Sequence, residues 1–460
     1  MTPIASIAQQ ITLQPGNHLL VTGPSGSGKT LLAKAIAGLP GTGKKIVLVE
    51  QHYNFTNRAH VNQFYYQQRF NSIDADDSAT VQEELDALDA DAAETATLLD
   101  IFGMSARRSA ALLHLSSGEH KRFQLIKAFG QNPQVLILDE PFTGMDTRSR
   151  GLLKDFMAQK AAAGCQFIII CPMAECPSFI NQMLSLNKGS ISFFGDIEAG
   201  KLINVDENPN GSFTAPAHLQ PLTAVADTIV QLNDAHIRYG EKVLLESINW
   251  TVKNGERWWL KGVNGSGKST LISLLTGDNP KAYANNLVLF GSKRGSGESI
   301  WDIKKQIGFV SPELQWYFDR NQTVFSAVAS GLFDTIGLFR QVNETQQELV
   351  MGWLEAFGLT AIKGRLLSML SASEQRLTLL ARAMVKNPPL LILDEPCQGL
   401  DDHQREAFVK IVDRLCEDPN RTLIYVTHYE QELPYCINKK IELQNGQAIC
   451  CAYQSQLIPA

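Results

Sequence analysis

Apolar positions along this chain alternate between two patterns. Short unbroken apolar runs, such as Leu19-Leu20-Val21, Ile46-Val47-Leu48-Val49 and Val135-Leu136-Ile137-Leu138, predict strands buried on both faces. Each is separated from the next by a stretch with helical spacing, for example Leu31 to Ala37. The series then repeats, with Trp258-Trp259-Leu260, Leu271 to Leu275, Ile307-Gly308-Phe309-Val310 and Leu390-Leu391-Ile392-Leu393. Strand and helix in alternation predict an α/β fold, built twice, each copy with a mainly parallel core sheet. An inserted helical region is expected in each copy, over roughly 55–115 and 315–370 by the pattern of apolar positions. Between the copies the pattern breaks into a polar stretch punctuated by Asn208-Pro209-Asn210-Gly211-Ser212 and Ala215-Pro216. This divides the chain into a first domain at 1–200, a linker at 201–230 and a second domain at 231–460.

The turn after the first strand of each copy is rich in glycine. One reads Gly23-Pro24-Ser25-Gly26-Ser27-Gly28-Lys29-Thr30 and the other Gly262-Val263-Asn264-Gly265-Ser266-Gly267-Lys268-Ser269. Both fit the phosphate-binding loop, or P-loop, in the strand–loop–helix setting that it needs. Glycines let successive backbone N–H groups turn inward around a phosphate, and the following helix aims its positive end at the same anion. Gly23, Ser25, Gly26 and Gly28, with Gly262, Asn264, Gly265 and Gly267, are therefore expected to cradle ATP. Lys29 and Lys268 would reach its outer phosphates, and the hydroxyls of Thr30 and Ser269 would face Mg²⁺.

Two further motifs recur at fixed spacing. Leu115-Ser116-Ser117-Gly118-Glu119 returns as Leu370-Ser371-Ala372-Ser373-Glu374. Val135-Leu136-Ile137-Leu138-Asp139-Glu140-Pro141 returns as Leu390-Leu391-Ile392-Leu393-Asp394-Glu395-Pro396. The serine-to-aspartate spacing is 23 in both copies, so the extra length of the second copy lies upstream of that serine. Asp139 and Asp394, at strand ends, are candidates to hold the Mg²⁺ shell, and Glu140 and Glu395 to polarise the attacking water.

This set of motifs resembles the ATP-binding cassette (ABC) ATPases over nearly the whole chain. The stretch Gly295-Ser296-Gly297-Glu298-Ser299-Ile300-Trp301-Asp302 further resembles the ModF branch, duplicated bacterial cassettes associated with molybdate transport. The resemblance implies that two cassettes pack head to tail as an intramolecular dimer. Each ATP would be held by the P-loop of one half and the signature of the other. Ser116, Gly118 and Ser371 would be the signature contacts, and Asp146 and Asp401 would lie at the seam. It also implies Gln51 as the Q-loop residue of the first copy, Tyr239 as the adenine-stacking aromatic of the second, and His428 as its switch histidine.

The copies differ. Tyr239 has no counterpart in the first, where the equivalent position falls before residue 1. Counting back from Cys176-Pro177 and Leu433-Pro434 puts Cys171 opposite His428. Pro312 stands where the second copy should have its glutamine, with Glu313 or Gln315 as candidate substitutes. Ser373 replaces the second signature's glycine, where its side chain would crowd a phosphate. The expectation is one mainly hydrolytic site (Tyr239, Lys268, Asp394, Glu395 and His428 with the Ser116 signature) and one mainly binding site (Lys29, Gln51, Asp139 and Glu140 with the Ser371 signature).

Composition narrows the setting. A net charge of -6 over 460 residues argues against an electrostatic nucleic-acid binder. Apolar stretches are of strand length and mean hydropathy is -0.10, so no membrane span is expected. The N-terminus lacks the features of a signal peptide. Eight cysteines without a C-x-x-C pair fit reduced thiols in the cytoplasm. The expected function is an ATPase at the inner face of the cell membrane, energising uptake of molybdate or another small anion through separate permease subunits. The alternative is a soluble ABC-F-like factor acting on ribosomes or nucleic acid. The short polar linker and the altered Ser373 signature count against it.

Overall fold

The computed structural model describes residues 3–11, 14–24, 26–39, 43–51, 79–88, 92–112, 115, 117–145, 147–201, 216, 221–239, 242–444 and 446–453. The chain divides into two compact units, Met1–Asn208 and Pro209–Ala460.

The first unit carries strands β1 (Leu19–Thr22), β2 (Ile46–Val49), β3 (Val135–Asp139), β4 (Gln166–Ile170), β5 (Gln182–Asn187) and β6 (Ser190–Asp196). They form one sheet in the order β2-β3-β4-β1-β5-β6, parallel except for the β5–β6 hairpin. Its helices are α1 (Pro3–Gln10), α2 (Lys29–Ala37), α3 (Val81–Asp86), α4 (Ala92–Ile101), α5 (Ser117–Gly130), α6 (Thr147–Ala162) and α7 (Ile197–Lys201). Along β3, Leu136 and Leu138 enter the core cluster that holds Phe123 of α5 and Phe156 of α6, while Val135 and Ile137 face Leu32 and Ile36 of α2. The run is apolar throughout because helices cover both faces of the sheet. Each fully buried leucine or isoleucine contributes about 1.5–3 kcal/mol.

The second unit repeats this sheet as β12-β13-β14-β9-β15-β16 and adds a four-stranded antiparallel sheet, β11-β10-β7-β8. The strands are β7 (Thr228–Tyr239), β8 (Lys242–Lys253), β9 (Arg257–Gly262), β10 (Asn286–Leu289), β11 (Ser292–Lys293), β12 (Ile307–Val310), β13 (Leu390–Asp394), β14 (Thr422–Val426), β15 (Lys439–Gln444) and β16 (Gln447–Ala452). Its helices are α8 (Lys268–Leu275), α9 (Ile300–Lys304), α10 (Pro312–Tyr317), α11 (Val324–Ser330), α12 (Glu344–Ala356), α13 (Ala372–Met384) and α14 (Asp402–Leu415). The expected helical insertion is seen as α10, α11 and α12. In the first unit the region contains α3 and α4, and its residues 55–78, 89–91 and 113–114 lie outside the described residues. Trp258 and Trp259 are strand core, one on each side of the sheet.

The added sheet has a counterpart of another kind. A side-chain carbon on Gly267, at the start of α8, would lie 2.7 Å from Leu245 Cδ2 of β8. One on Gly28, at the start of α2, would lie 2.5 Å from Ile4 Cδ1 of α1. The phosphate loop of the second unit is braced by a hairpin, and that of the first by a helix that the sequence pattern did not reveal.

Candidate functional site

The two glycine-rich loops share their left-handed turns. Gly26 and Gly265 have φ of 75° and 80°, and Gly28 and Gly267 both have 102°. These are left-handed values that a residue with a side chain rarely adopts. Close approach closes the loop as well: a side-chain carbon on Gly23 would lie 2.1 Å from Leu186 O. The loop lysines fold back over their own loops. Lys29 Nζ donates to Gly23 O (2.6 Å) and Pro24 O (2.9 Å), and Lys268 Nζ to Gly262 O (2.7 Å) and Val263 O (3.1 Å). Ser25 lies outside the described residues. Asn264, at the matching place in the second loop, sits in its turn.

Thr30, in the first turn of α2, donates from Oγ1 to Asp139 Oδ2 at 2.7 Å. A hydroxyl and a carboxylate so close would together hold one Mg²⁺, and left-handed glycines with a lysine above them are what a phosphate chain needs. The residues present therefore fit a magnesium nucleotide. Ser269 occupies the corresponding helix position in the second unit.

The carboxylates that follow the strands differ in the charges around them. Burial, helped by Asp139, pushes the Glu140 carboxyl up to about 7 against the pull of Lys29 and Lys121. Glu395 is equally buried, but His428, Lys268 and Arg376 outweigh that burial and hold it below the ordinary glutamate range. His428 Nε2 lies 3.3 Å from Glu395 Oε1, close to it but without the alignment of a hydrogen bond. Both glutamates adopt left-handed backbone, with φ of 49° and 44°, and each donates its N–H to the neighbouring strand, Glu140 to Ile170 O and Glu395 to Val426 O, at 2.9 Å.

The strand register corrects one expected equivalence. Asp139 pairs with Ile170 and Asp394 with Val426. Counting forward from there, Cys171 matches Thr427, and Pro172 matches His428. The loop of the first unit is one residue shorter, which displaced the count made backward from the prolines. The first unit still offers no histidine here. Cys171 is buried close enough to Glu140 for that carboxylate to help raise its thiol, after burial itself.

The Q-loop positions also differ. Gln51 is half-buried just past β2, beside Glu50, which pairs with Lys34 at 2.8 Å. In the second unit Ser311 caps α10, accepting from Leu314 N, and Pro312 is its first residue. Proline suits that position because the first turn leaves its N–H groups unpaired. Gln315 is turned away, donating to Ala372 O at 2.9 Å. Glu313 is buried and is the strongest charge raising Asp394, second only to burial. Of the two substitutes, Glu313 is the one that faces the carboxylates.

Ser116 lies outside the described residues, as does Asp146, and nothing is described of the Tyr239 side chain beyond its place at the end of β7. Gly118 is in the first turn of α5. Ser371 caps α13 with Glu374 in a reciprocal box. Ser373 is buried, with Oγ 3.2 Å from Ser371 Oγ.

One pair of functional candidates was missed. Five residues after each signature serine stands a buried cation, Lys121 or Arg376. Lys121 Nζ donates to Glu50 O and Asp139 O, both at 3.0 Å. Arg376 donates to Ser311 O (2.9 Å), Asp394 O (3.1 Å), Pro396 O (3.1 Å) and Glu395 O. The recurrence of a cation at this offset was the available signal.

Comparison with known proteins agrees with this geometry. The ABC transporter family model matches residues 8–143 and 245–398. The chain is similar to the ABC transporter ATP-binding protein ModF of Escherichia coli (strain K12), 33% identical over 94% of this chain and 92% of that protein. It is also similar to an uncharacterised ABC transporter ATP-binding protein of Schizosaccharomyces pombe, 33% identical over 74% of this chain and 70% of that protein. Among solved structures it shares the fold of an RNase-L inhibitor (TM-score 0.55) and of an archaeal ribosome recycling factor in complex with a ribosomal stalk protein (TM-score 0.54). Both are 18% identical over 95% of this chain and 86% of theirs. With its family model matched in each unit and the ModF likeness running nearly end to end, the chain belongs to the ATP-binding cassette family and is an ABC-type ATPase with two cassettes.

Proposed function

We propose that the two cassettes close head to tail on two unequal ATP sites, and that the second P-loop serves the main hydrolytic one. The observation that carries this reading is the contrast between the glutamates. Glu395 is held ionised beside His428, ready to accept a proton from water. Glu140 is raised to about 7 and has Cys171 and Pro172 where the other unit has Thr427 and His428. Lys29 with Gln51, and Lys268 with Tyr239, would hold the nucleotides. Thr30 with Asp139, and Ser269 with Asp394, would hold Mg²⁺, which supplies positive charge against the phosphate oxygens. Ser371 would complete the first site, and Ser116 with Gly118 the second.

The same reading makes the chain the ATP-binding subunit of an uptake system for molybdate or another small anion. The end-to-end similarity to ModF supports it. No helix among the described residues is long and apolar enough to cross a membrane, so permease subunits would be separate chains, with this one peripheral at the inner face of the cell membrane. The second reading is a factor acting on ribosomes. It draws on the ribosome recycling factor that shares the fold over both cassettes, a likeness of fold at 18% identity. Affinity purification of the tagged protein separates them: a co-purifying permease supports transport, and co-sedimenting ribosomes sink it.

Tyr239→Ala tests the nucleotide arrangement. Loss of a stacked aromatic should cost about 1–3 kcal/mol, borrowed from base stacking on aromatics. That raises KM for ATP about tenfold to a hundredfold while kcat holds. An unchanged KM would mean that the ring at the end of β7 does not touch adenine.

A further inference from the structure

We infer that Arg376 is a positioning residue for hydrolysis in the second cassette, fixing the backbone of Glu395 and tying it to the signature helix α13 and to the start of α10. The inference rests on the reading of Glu395 as the main hydrolytic base.

Glu395 needs such support. Its φ of 44° is a conformation that a residue with a side chain adopts at a cost, and it persists only where neighbours impose it. Val426 O holds the N–H of this peptide from one side. Arg376 holds its carbonyl from the other, together with the carbonyls of Asp394 and Pro396 on either side of it. A third donor direction of the same guanidinium reaches Ser311 O, the residue that caps α10. The guanidinium is fully buried. Its planar fork is what allows four carbonyls from two chain segments to be gripped at once. Because Arg376 is itself part of α13, any displacement of the signature helix pulls on the carbonyl of the catalytic glutamate.

The first cassette shows the weaker form. Lys121, a point charge, reaches the carbonyls of Glu50 and Asp139. Those match Ser311 and Asp394, which leaves Glu395 O and Pro396 O as the contacts that the arginine adds. The asymmetry proposed for the two sites is thus written into the cation behind each glutamate as well as into the histidine before it.

The test compares Arg376→Lys and Arg376→Met with wild type and with Glu395→Gln in the full-length protein. The readouts are kcat, KM, equilibrium affinity for ATP without Mg²⁺, and the thermal midpoint. Arg376→Lys installs the residue of the first cassette and should fold. Its kcat should fall about tenfold to a hundredfold, the scale of a small misplacement of a reacting group, with ATP affinity within about threefold of wild type. Arg376→Met should fall further where it folds, so that lysine is a partial rescue. A folded Arg376→Lys with wild-type kcat would overturn the inference, as would a loss of ATP affinity in step with kcat. Glu395→Gln keeps the two levels apart. If it retains turnover, the assignment of the hydrolytic site fails. If it loses turnover while Arg376→Lys does not, only the positioning role fails.

Discussion

The Glu395→Gln variant should bind ATP and turn it over at least about a hundredfold more slowly, the lower end for loss of a general base. The amide keeps the size of the carboxylate and leaves the backbone held by Val426 and Arg376 in place. What it removes is the carboxylate oxygen beside His428 that, on the proposed reading, would take a proton from the attacking water. On the head-to-tail arrangement proposed above, Lys268 and the P-loop would still hold the nucleotide, and the cassettes should stay closed around it because opening would depend on losing the outermost phosphate. Glu140→Gln should leave substantial turnover, since that carboxyl is raised to about 7 and has no histidine at the matching place. Single-turnover hydrolysis and the nucleotide content after gel filtration measure both effects. Equal loss in the two variants would show an obligate pair of sites and remove the asymmetry.

Lys268→Ala should abolish most ATPase activity. Its ammonium lies over the second loop, 2.7 Å from Gly262 O, where a phosphate chain would draw it into charge-assisted bonds. Each such bond is worth about 1.5–3 kcal/mol, and alanine offers nothing in exchange. Lys29→Ala removes the equivalent ammonium from the first loop and should lower nucleotide occupancy more than turnover. Steady-state hydrolysis and bound-nucleotide counts on the purified single variants decide it. Greater damage to turnover from Lys29→Ala would reverse the assignment of the two sites.

Much of this arrangement is legible in the sequence because its parts are contiguous. A P-loop is one strand end, one turn and one helix start, and Asp139-Glu140 ends an apolar run with the same spacing as Asp394-Glu395. The two parallel sheets follow from apolar runs without alternation. What stayed hidden depends on remote backbone or on local register. The partners of Arg376 are carbonyls, which carry no mark in the sequence. The match for His428 slipped by one residue because a proline anchor was counted across a loop of unequal length, where strand pairing gives the register directly. Ser311-Pro312 read as a missing glutamine, yet the two residues are a helix cap and a first helical position. The helix α1 is eight residues long, too short for its periodicity to announce it, and it takes the bracing role of a hairpin.

The left-handed backbone at Glu140 and Glu395 sets fitness for chemistry against fitness for folding. At a φ near 45°–50°, glycine is the comfortable residue and glutamate the strained one, by about 1 kcal/mol or more at each place. A cassette that drifted to glycine there would lose the carboxylate and gain conformational ease. If these glutamates serve as proposed, selection for stability alone would erode the site first, and the strain at the two positions is what retaining a carboxylate there costs the fold.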